Sequence, residues 1–278
     1  MDWTPVSYAY DGSFAGFLTC VFASYAHREE PMSFSTPEDG RISLWPERTV
    51  DTDEARAQRV YRSLAPRLGQ EGRRLAVYGF LTCLEERELH LWRFLRLGYD
   101  RGPWVVRDLT DDRVAVLTRA VGHLTGEAHL LKGFTRFSEQ EGVLVGEIAP
   151  KNRVLPLLRP HFCARYPEES FVLYDRTHRE LLLYTKGQRR IVPVESLTLE
   201  LPGSEELQYR ALWQEFFRTV SIRERTNPRC QNSFLPKRYR GVMTEFLPVD
   251  YEGLNRPAAA GDLPALGAPA GISAPGTP

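Results

Sequence analysis

Cysteine is scarce in this sequence, and the cysteines that are present lie far apart. The 278-residue chain has four, at Cys20, Cys83, Cys163 and Cys230, with more than 60 residues between successive members. Iron–sulfur clusters and zinc sites need closely spaced cysteine or histidine ligands, so this spacing argues against both kinds of site. We expect four reduced thiols, as is usual in the cytoplasm.

Long apolar runs and the short motifs of common enzyme classes are also missing. No stretch approaches the roughly 20 apolar residues of a membrane-spanning helix, and the first residues lack the basic start and apolar core of a secretory signal. The sequence contains no G-x-S-x-G, Walker A, G-x-G-x-x-G or H-E-x-x-H pattern. We therefore predict a cytoplasmic protein without membrane contact, and no pattern indicates a metal ion or a cofactor.

Net charge gives no information about partners, because the chain carries 36 basic and 36 acidic residues. Their distribution is nevertheless uneven. Residues 1–60 contain ten acids and five arginines, whereas residues 218–240 contain seven basic residues and one acid, Glu224. We call residues 221–240 the basic segment. A local excess of cations of this kind is typical of a surface that binds a polyanion.

Amide and aromatic side chains lie between the cations of the basic segment, a combination typical of nucleic-acid-binding surfaces. We predict that the cations contact phosphates, that Tyr239 or Phe234 stacks on a base, and that Gln231 or Asn227 makes polar contacts. The predicted contact residues are Arg136, Arg225, Asn227, Arg229, Gln231, Lys237, Arg238, Tyr239 and Arg240. Two alternatives stay open: the cations pair within the chain or stay solvated, or they bind a protein.

Hydrophobic periodicity predicts an α+β fold whose first region, residues 1–131, is mainly helical. The predicted helices cover residues 14–25, 53–64, 73–97 and 111–131. The helical pattern weakens at 83–88, and Pro66 is expected to end the second helix. For residues 28–51 we predict a polar loop with one short strand near 42–45.

The second region, residues 132–252, changes from helical to period-two patterning. It predicts a small antiparallel sheet in the order β-β-α-β-β, with Asn152 capping the short helix. A further helix is expected from Ser204, with its aromatic residues facing inward, before a largely irregular basic segment. The two regions are expected to pack as one unit. Residues 253–278, rich in alanine, proline and glycine, predict a disordered tail.

Titratable side chains outside the basic segment give a weaker indication of catalysis. An enzyme acting on a damaged base or on the DNA backbone would need acid–base or metal-binding groups. The candidates are His129, His161, Asp175 and Asp11, and His178 shares a hairpin with Asp175. Nothing in their spacing requires them to meet, and a structural role is the more usual explanation for each one.

Five blocks of the sequence resemble an uncharacterised bacterial family of DNA metabolism and DNA repair proteins. The blocks are YDGSFAGFLT, LWRFLRLGY, GEAHLLKGFTRF, LVGEIAPKNRVLPLLRPHFCARYP and NPRCQNSFLPKRY, in this order between about residues 7 and 246. The resemblance implies a protein that accompanies a DNA-repair radical S-adenosylmethionine protein. It also implies kinship of the second half with a domain of unknown function attached to some uracil-DNA-glycosylase-like proteins. No catalytic residues come with it.

The basic segment and the resemblance together predict a DNA-binding accessory protein of DNA repair or DNA metabolism. It is expected to be a partner of the radical enzyme and not that enzyme, because the closely spaced cysteines of a radical cluster are missing. Two rivals remain: an enzyme acting on damaged or modified DNA bases, such as a glycosylase or nuclease, and a scaffold that contacts only the radical enzyme.

Overall fold

The computed structural model describes residues 3–37, 43–194, 204–220 and 227–246, and the predicted tail lies outside these ranges. The α-helices are α1 (Phe14–His27), α2 (Glu54–Phe80), α3 (Arg87–Arg101), α4 (Asp112–Phe134), α5 (Leu155–Arg165), α6 (Ser204–Val220) and α7 (Pro228–Phe234). The strands are β1 (Thr4–Ala9), β2 (Glu29–Ser35), β3 (Glu47–Thr49), β4 (Phe137–Gln140), β5 (Val143–Ile148), β6 (Ser170–Asp175), β7 (Glu180–Thr185) and β8 (Gln188–Pro193). This order confirms the α+β class.

The first sheet is parallel, in the order β2-β1-β3. Helix α1 connects β1 to β2, and the two strands pair from Thr4 opposite Glu29 to Ala9 opposite Ser35. The loop predicted for residues 28–51 therefore contains two strands that were missed, and the described residues 43–45 form no strand. The sequence hides β2 because it is polar and contains Pro31, which an edge strand tolerates.

Helix α2 continues past the point where Pro66 was expected to end it. Pro66 does not end a helix but lies inside α2, and the bend falls at Gly69, where φ is 75°. The bend lies at the glycine, three residues after the proline, because a residue without a Cβ adopts this positive φ without strain. The helices are separated by residues 81–86, which overlap residues 83–88, where the sequence pattern predicted a break or bend.

The second sheet has the order β4-β5-β6-β7-β8 and confirms both predicted hairpins. It is mixed and not purely antiparallel, because β5 and β6 pair in parallel on either side of α5. A β-α-β connection of this kind returns the chain to the same direction. Val154 precedes α5 as its N-cap residue, so the predicted cap, Asn152, has another role described below.

Two groups of buried apolar side chains form the core, and helix α4 contributes to both. Val114 and Leu117 belong to the first group, with side chains of β1, α1, α2 and α3. Leu124, Ala128 and Leu131 belong to the second, with α5 and the second sheet. The single apolar stripe recognised in the sequence of α4 thus joins the two halves of the fold.

The aromatic side of α6 is not buried, contrary to the prediction. Tyr209, Leu212, Trp213 and Phe216 are between 42% and 67% exposed. The spacing of these residues is helical, but periodicity identifies a stripe without showing what packs on it. One of the helix's contacts to the rest of the fold is polar, from the Gln214 side-chain amide to the Thr244 carbonyl, at 2.9 Å.

Candidate nucleic-acid interface

The described part of the basic segment is helical and not irregular as predicted. It consists of α7 and a 3-10 helix, Lys237–Val242. Asn227 caps α7, since its side-chain oxygen accepts a hydrogen bond from the Cys230 backbone N–H at 3.0 Å. Such a cap satisfies a donor left open at the helix start. Arg225 and the side chain of Gln231 lie outside the described part of the chain.

Tyr239 belongs to the core, so the prediction that it stacks on a base is wrong. Its side chain is almost completely buried, and its ring centre lies 5.5 Å from that of Phe134. Its hydroxyl donates a hydrogen bond to Glu127 Oε1 at 3.2 Å. A base would reach this ring only if the surrounding helices separated. The alternative stacking residue, Phe234, is 75% exposed.

Glu127 is a buried carboxylate that joins three parts of the chain. Its oxygens accept hydrogen bonds from the Lys151 N–H at 3.1 Å, the Asn152 N–H at 2.9 Å and the Asn152 side-chain amide at 2.7 Å. Asn152 in turn accepts a hydrogen bond from the Cys83 N–H at 2.9 Å. A buried carboxylate needs several donors of this kind. The signal in the sequence was an acid within the apolar stripe of α4.

Arg238 is the cation that reaches both this network and the solvent. Its guanidinium lies 4.6 Å from the centre of the Tyr239 ring and 3.4 Å from Glu127 Oε1, and its side chain is 45% exposed. A hydrogen bond to Tyr239 Oη holds it in place. The Glu127 carboxylate therefore neutralises only part of the positive charge of Arg238. The exposed part of the Arg238 side chain remains available to an anion.

Two other predicted contacts, Arg136 and Arg240, are held by internal partners. Arg136 binds both carboxylate oxygens of Glu245, at 2.7 and 3.3 Å, and the Glu245 side chain is only 3% exposed. Arg240 donates to the Asn232 side-chain oxygen at 2.9 Å and lies over the Phe246 ring at 5.1 Å. Both guanidinium groups therefore make contacts within the chain, as one of the alternatives expected.

Arg229 and Lys237, by contrast, are exposed to solvent. The basic segment therefore contains two kinds of cation. Arg240, like Arg136 outside the segment, makes contacts that stabilise the fold, whereas Arg229, Lys237 and the outer part of Arg238 form the accessible positive surface.

A cleft of about 910 Å³ lies between α4, the turn at residues 82–85, the loop at Lys151 and Asn152, and Arg238. We call it the α4 cleft. The ionisable side chains that line it are Arg119, Lys151, Arg238, His123, His129, Cys83, Glu85 and Glu127. Three lysine or arginine residues thus meet one exposed carboxylate, Glu85, and the buried Glu127. Sequence reasoning missed Arg119 and Lys151, because neither lies in the basic segment.

The four candidate catalytic residues are spread over different elements. His129 lines the α4 cleft, whereas Asp11 lines a separate cavity at the ends of the first-sheet strands. Asp11 accepts hydrogen bonds from the Ser13 N–H at 2.9 Å and the Thr52 hydroxyl at 2.7 Å. Partial burial opposes ionisation, but the bonds from Thr52 and Ser13 outweigh it and lower the pKa of Asp11. This carboxylate ties β1 to the residues after β3.

Asp175 and His161 likewise occupy separate positions. Asp175 is fully buried at the end of β6, where it accepts hydrogen bonds from the Thr177 and His178 backbone and binds His178 Nδ1 at 2.7 Å. It holds the turn of the β6–β7 hairpin. On α5, burial and the nearby cations of Lys132 and Arg165 lower the pKa of His161. The geometry does not bring the four candidates together.

The described ranges of the chain contain no group of three or more histidine, cysteine or acidic side chains arranged to hold a metal ion. None of the helices described is both long enough and apolar enough to cross a membrane.

Neither the curated proteins nor the solved structures with which the chain was compared contain a match. A family profile does match residues 85–245, from the turn before α3 to the 3-10 helix Thr244–Phe246. This region includes the second sheet, most of the α4 cleft and the described part of the basic segment. The match covers more than half of the chain, which therefore belongs to the family described as a domain of unknown function, DUF4130.

Proposed function

We propose that the chain is a DNA-binding accessory protein of DNA repair or DNA metabolism. The observation that carries the proposal is the convergence of Arg119, Lys151 and Arg238 on the α4 cleft. These residues come from α4, from the loop after β5 and from the basic segment, and all three are exposed. A concave surface lined by cations from several elements concentrates positive potential and favours a polyanion.

The proposed interface continues from the α4 cleft onto the outer surface of the basic segment. Its phosphate contacts are Arg119, Lys151, Arg229, Lys237 and Arg238. The exposed carboxylate of Glu85 also lines the cleft and disfavours an anion close to it. Most contacts of this kind go to the DNA backbone, so the interface predicts affinity for DNA with little sequence preference.

Salt dependence tests the proposal directly. Fluorescence anisotropy with labelled duplex DNA at several salt concentrations gives the slope of log K against log salt. Between three and five phosphate contacts predict a slope of about −3 to −4.5, at roughly −0.9 per contact. Binding that is absent, or that does not change with salt, would refute the assignment.

Substitutions in the interface should lower both the affinity and the slope. We expect Arg119→Ala, and the double change Lys237→Ala with Arg238→Ala, to reduce the slope by about one for each lost contact. Arg62→Ala is the matched control, since Arg62 is an exposed arginine of α2 that does not line the α4 cleft. If all variants bind like the unchanged protein, the cations do not form the interface.

We further propose a radical S-adenosylmethionine DNA-repair protein as the partner, with the family resemblance as support. Size-exclusion chromatography of the two purified proteins, alone and mixed, tests the association. A complex together with salt-dependent DNA binding supports the accessory role. A complex in which the chain has no DNA affinity supports the scaffold function in its place.

A further inference from the structure

The α4 cleft owes its depth to two glycines on one side of α4. Gly122 and Gly126 both line the cleft, and apart from the neighbouring residues and backbone of α4 itself no heavy atom lies within 4 Å of the position that a Cβ would take on either residue. Residues four apart lie on the same helix face, one turn from each other. The backbone of α4 is therefore open to a ligand over about one turn.

The rest of the lining combines apolar walls with cations. Leu84, Val116, Ala120 and Leu130 supply the apolar side chains, and Arg119, Lys151 and Arg238 supply positive charge. The volume of about 910 Å³ lies within the range of roughly 300–1,000 Å³ that is usual for small-molecule sites. It is too small to take in a DNA duplex, whose phosphates reach only the exposed cations.

A ligand that uses all of these features has a flat apolar part and an attached anion. A purely anionic ligand would leave the apolar walls without a contact, and a neutral apolar ligand would leave three cations without one. A nucleotide has both parts, because a base presents a flat face and the phosphate pairs with arginine or lysine. His123 and His129 also line the cleft and add ring nitrogens that can hydrogen-bond the edge of a base.

We infer that the α4 cleft binds a nucleotide whose base is unpaired, with the base over Gly122 and Gly126 and its phosphate among the three cations. The inference rests on the proposed function and narrows its substrate to unpaired nucleotides. In a duplex the faces of each base are stacked and its edge is paired, and removal of a base from the stack costs a few kcal/mol. A base in a single strand, or in a free nucleotide, is already accessible.

Filling the cleft with a side chain tests the inference. Gly126→Leu places a side chain where the base would lie, and it does so in open space, so the fold is retained. We expect affinity for a single-stranded oligonucleotide to fall by roughly 10-fold or more, as when one stacked base is lost, and duplex affinity to stay unchanged. Gly133→Leu is the matched control, since Gly133 is an exposed glycine of the same helix with equally open space and lies outside the cleft.

Thiol alkylation supplies a second readout that needs no mutation. Cys83 is exposed and lines the α4 cleft, whereas Cys230 is exposed on α7 outside it. Mass spectrometry after brief treatment with iodoacetamide gives the rate at each thiol. We expect a deoxynucleoside monophosphate to slow alkylation of Cys83 and to leave Cys230 unchanged.

The outcomes separate this inference from the proposed function. If single strands and duplexes bind with the same salt dependence, and Gly126→Leu affects neither, the nucleotide site is refuted and DNA binding stands. If no DNA binds at any salt concentration, the proposed function fails. Protection of Cys83 by a free nucleotide alone then supports a free nucleotide as the ligand. Protection by an acidic peptide but not by a nucleotide overturns the inference.

Discussion

The Tyr239 hydroxyl donates a hydrogen bond to the Glu127 carboxylate at 3.2 Å and so fastens the end of the basic segment to helix α4. The two residues are 112 positions apart in the chain. Burial is the main cause of the raised pKa of Tyr239, and the nearby charge of Glu127 adds to it, so the phenol remains protonated and able to donate at neutral pH. Removing either group should therefore affect stability before it affects binding.

Tyr239→Phe should lower the free energy of unfolding by roughly 1.5–3 kcal/mol, because the hydroxyl loses its hydrogen bonds to the Glu127 carboxylate and from the Arg238 guanidinium. Tyr239→Ala should cost roughly 3–5 kcal/mol, since a large buried side chain is removed as well. Urea unfolding measures both changes. The DNA affinity of the folded Tyr239→Phe protein should be unchanged. A loss of affinity at unchanged stability would instead indicate that the Tyr239 hydroxyl contacts DNA directly.

Arg136→Ala should destabilise the protein by about 3–5 kcal/mol, because it leaves the buried Glu245 carboxylate without its ion pair. Replacing both partners, as Arg136→Met with Glu245→Leu, should recover most of this loss. Urea unfolding of the two single variants and the double variant gives the coupling energy. The double variant should bind DNA with the same salt slope as the unchanged protein, and a slope reduced by one would show that Arg136 contacts phosphate.

Gly16→Ala should destabilise the fold by roughly 1–3 kcal/mol as a consequence of overpacking. A Cβ at this position would lie 2.2 Å from Asp11 Oδ1 and 2.8 Å from Thr52 Oγ1, so the Asp11–Thr52 hydrogen bond would be displaced. Thermal unfolding measures the change. Gly133→Ala is the control, since it adds the same methyl group to a helix in open space and should stabilise by up to about 1 kcal/mol. Equal melting temperatures for the two variants would contradict the prediction.

The first turn of α4 should lose part of its stabilisation in acid. Hydrogen bonds from Arg113 lower the pKa of Asp111, the N-cap residue, from 3.8 to about 2. Because the pKa is lower in the folded state, the ionised carboxylate stabilises the fold above pH 3.8, and this contribution is lost as the pH falls through about 2.

Asp111→Asn keeps an oxygen that can cap the helix and removes only the charge. It should destabilise by about 0.5–1 kcal/mol at neutral pH, and the difference from the unchanged protein should shrink as the pH falls below 3.8. Urea unfolding at several pH values provides the test. Asp112→Asn, which removes an acid from the same helix end, is the control, and a pH-independent difference for Asp111→Asn would contradict the assignment.

Regular local patterns predicted much of the fold. Strands β6 and β7 are short apolar runs on either side of a polar turn, and α4 has one continuous apolar stripe, so the local pattern was enough. Strand β2 was missed because its hydrogen bonds to β1 depend on the parallel pairing created by α1. The aromatic side of α6 was assigned inward because the helical pattern is the same whether a stripe is covered or exposed.

Only the positive charge of the candidate interface could be predicted from the sequence. The basic segment was identified from composition, but the partners that remove Arg136 from the accessible surface and bury Tyr239 lie more than 100 positions away in the chain. Local sequence cannot show such contacts. The spacing of Gly122 and Gly126, one turn apart and beside Glu127 in an otherwise apolar stripe, was the available sign of a cleft on α4.

Helix α3 lies inside the matched family region, yet many of the side chains that bury it come from outside that region. Leu91, Phe94 and Leu95 pack in the first core with residues of α1 and α2, and Leu68 of α2 lies against Gly98 so closely that no Cβ would fit. A fragment containing only residues 85–245 would expose this apolar surface to water and should aggregate. Any relative that carries the domain without the first 84 residues must cover the same side of α3 with a different hydrophobic layer.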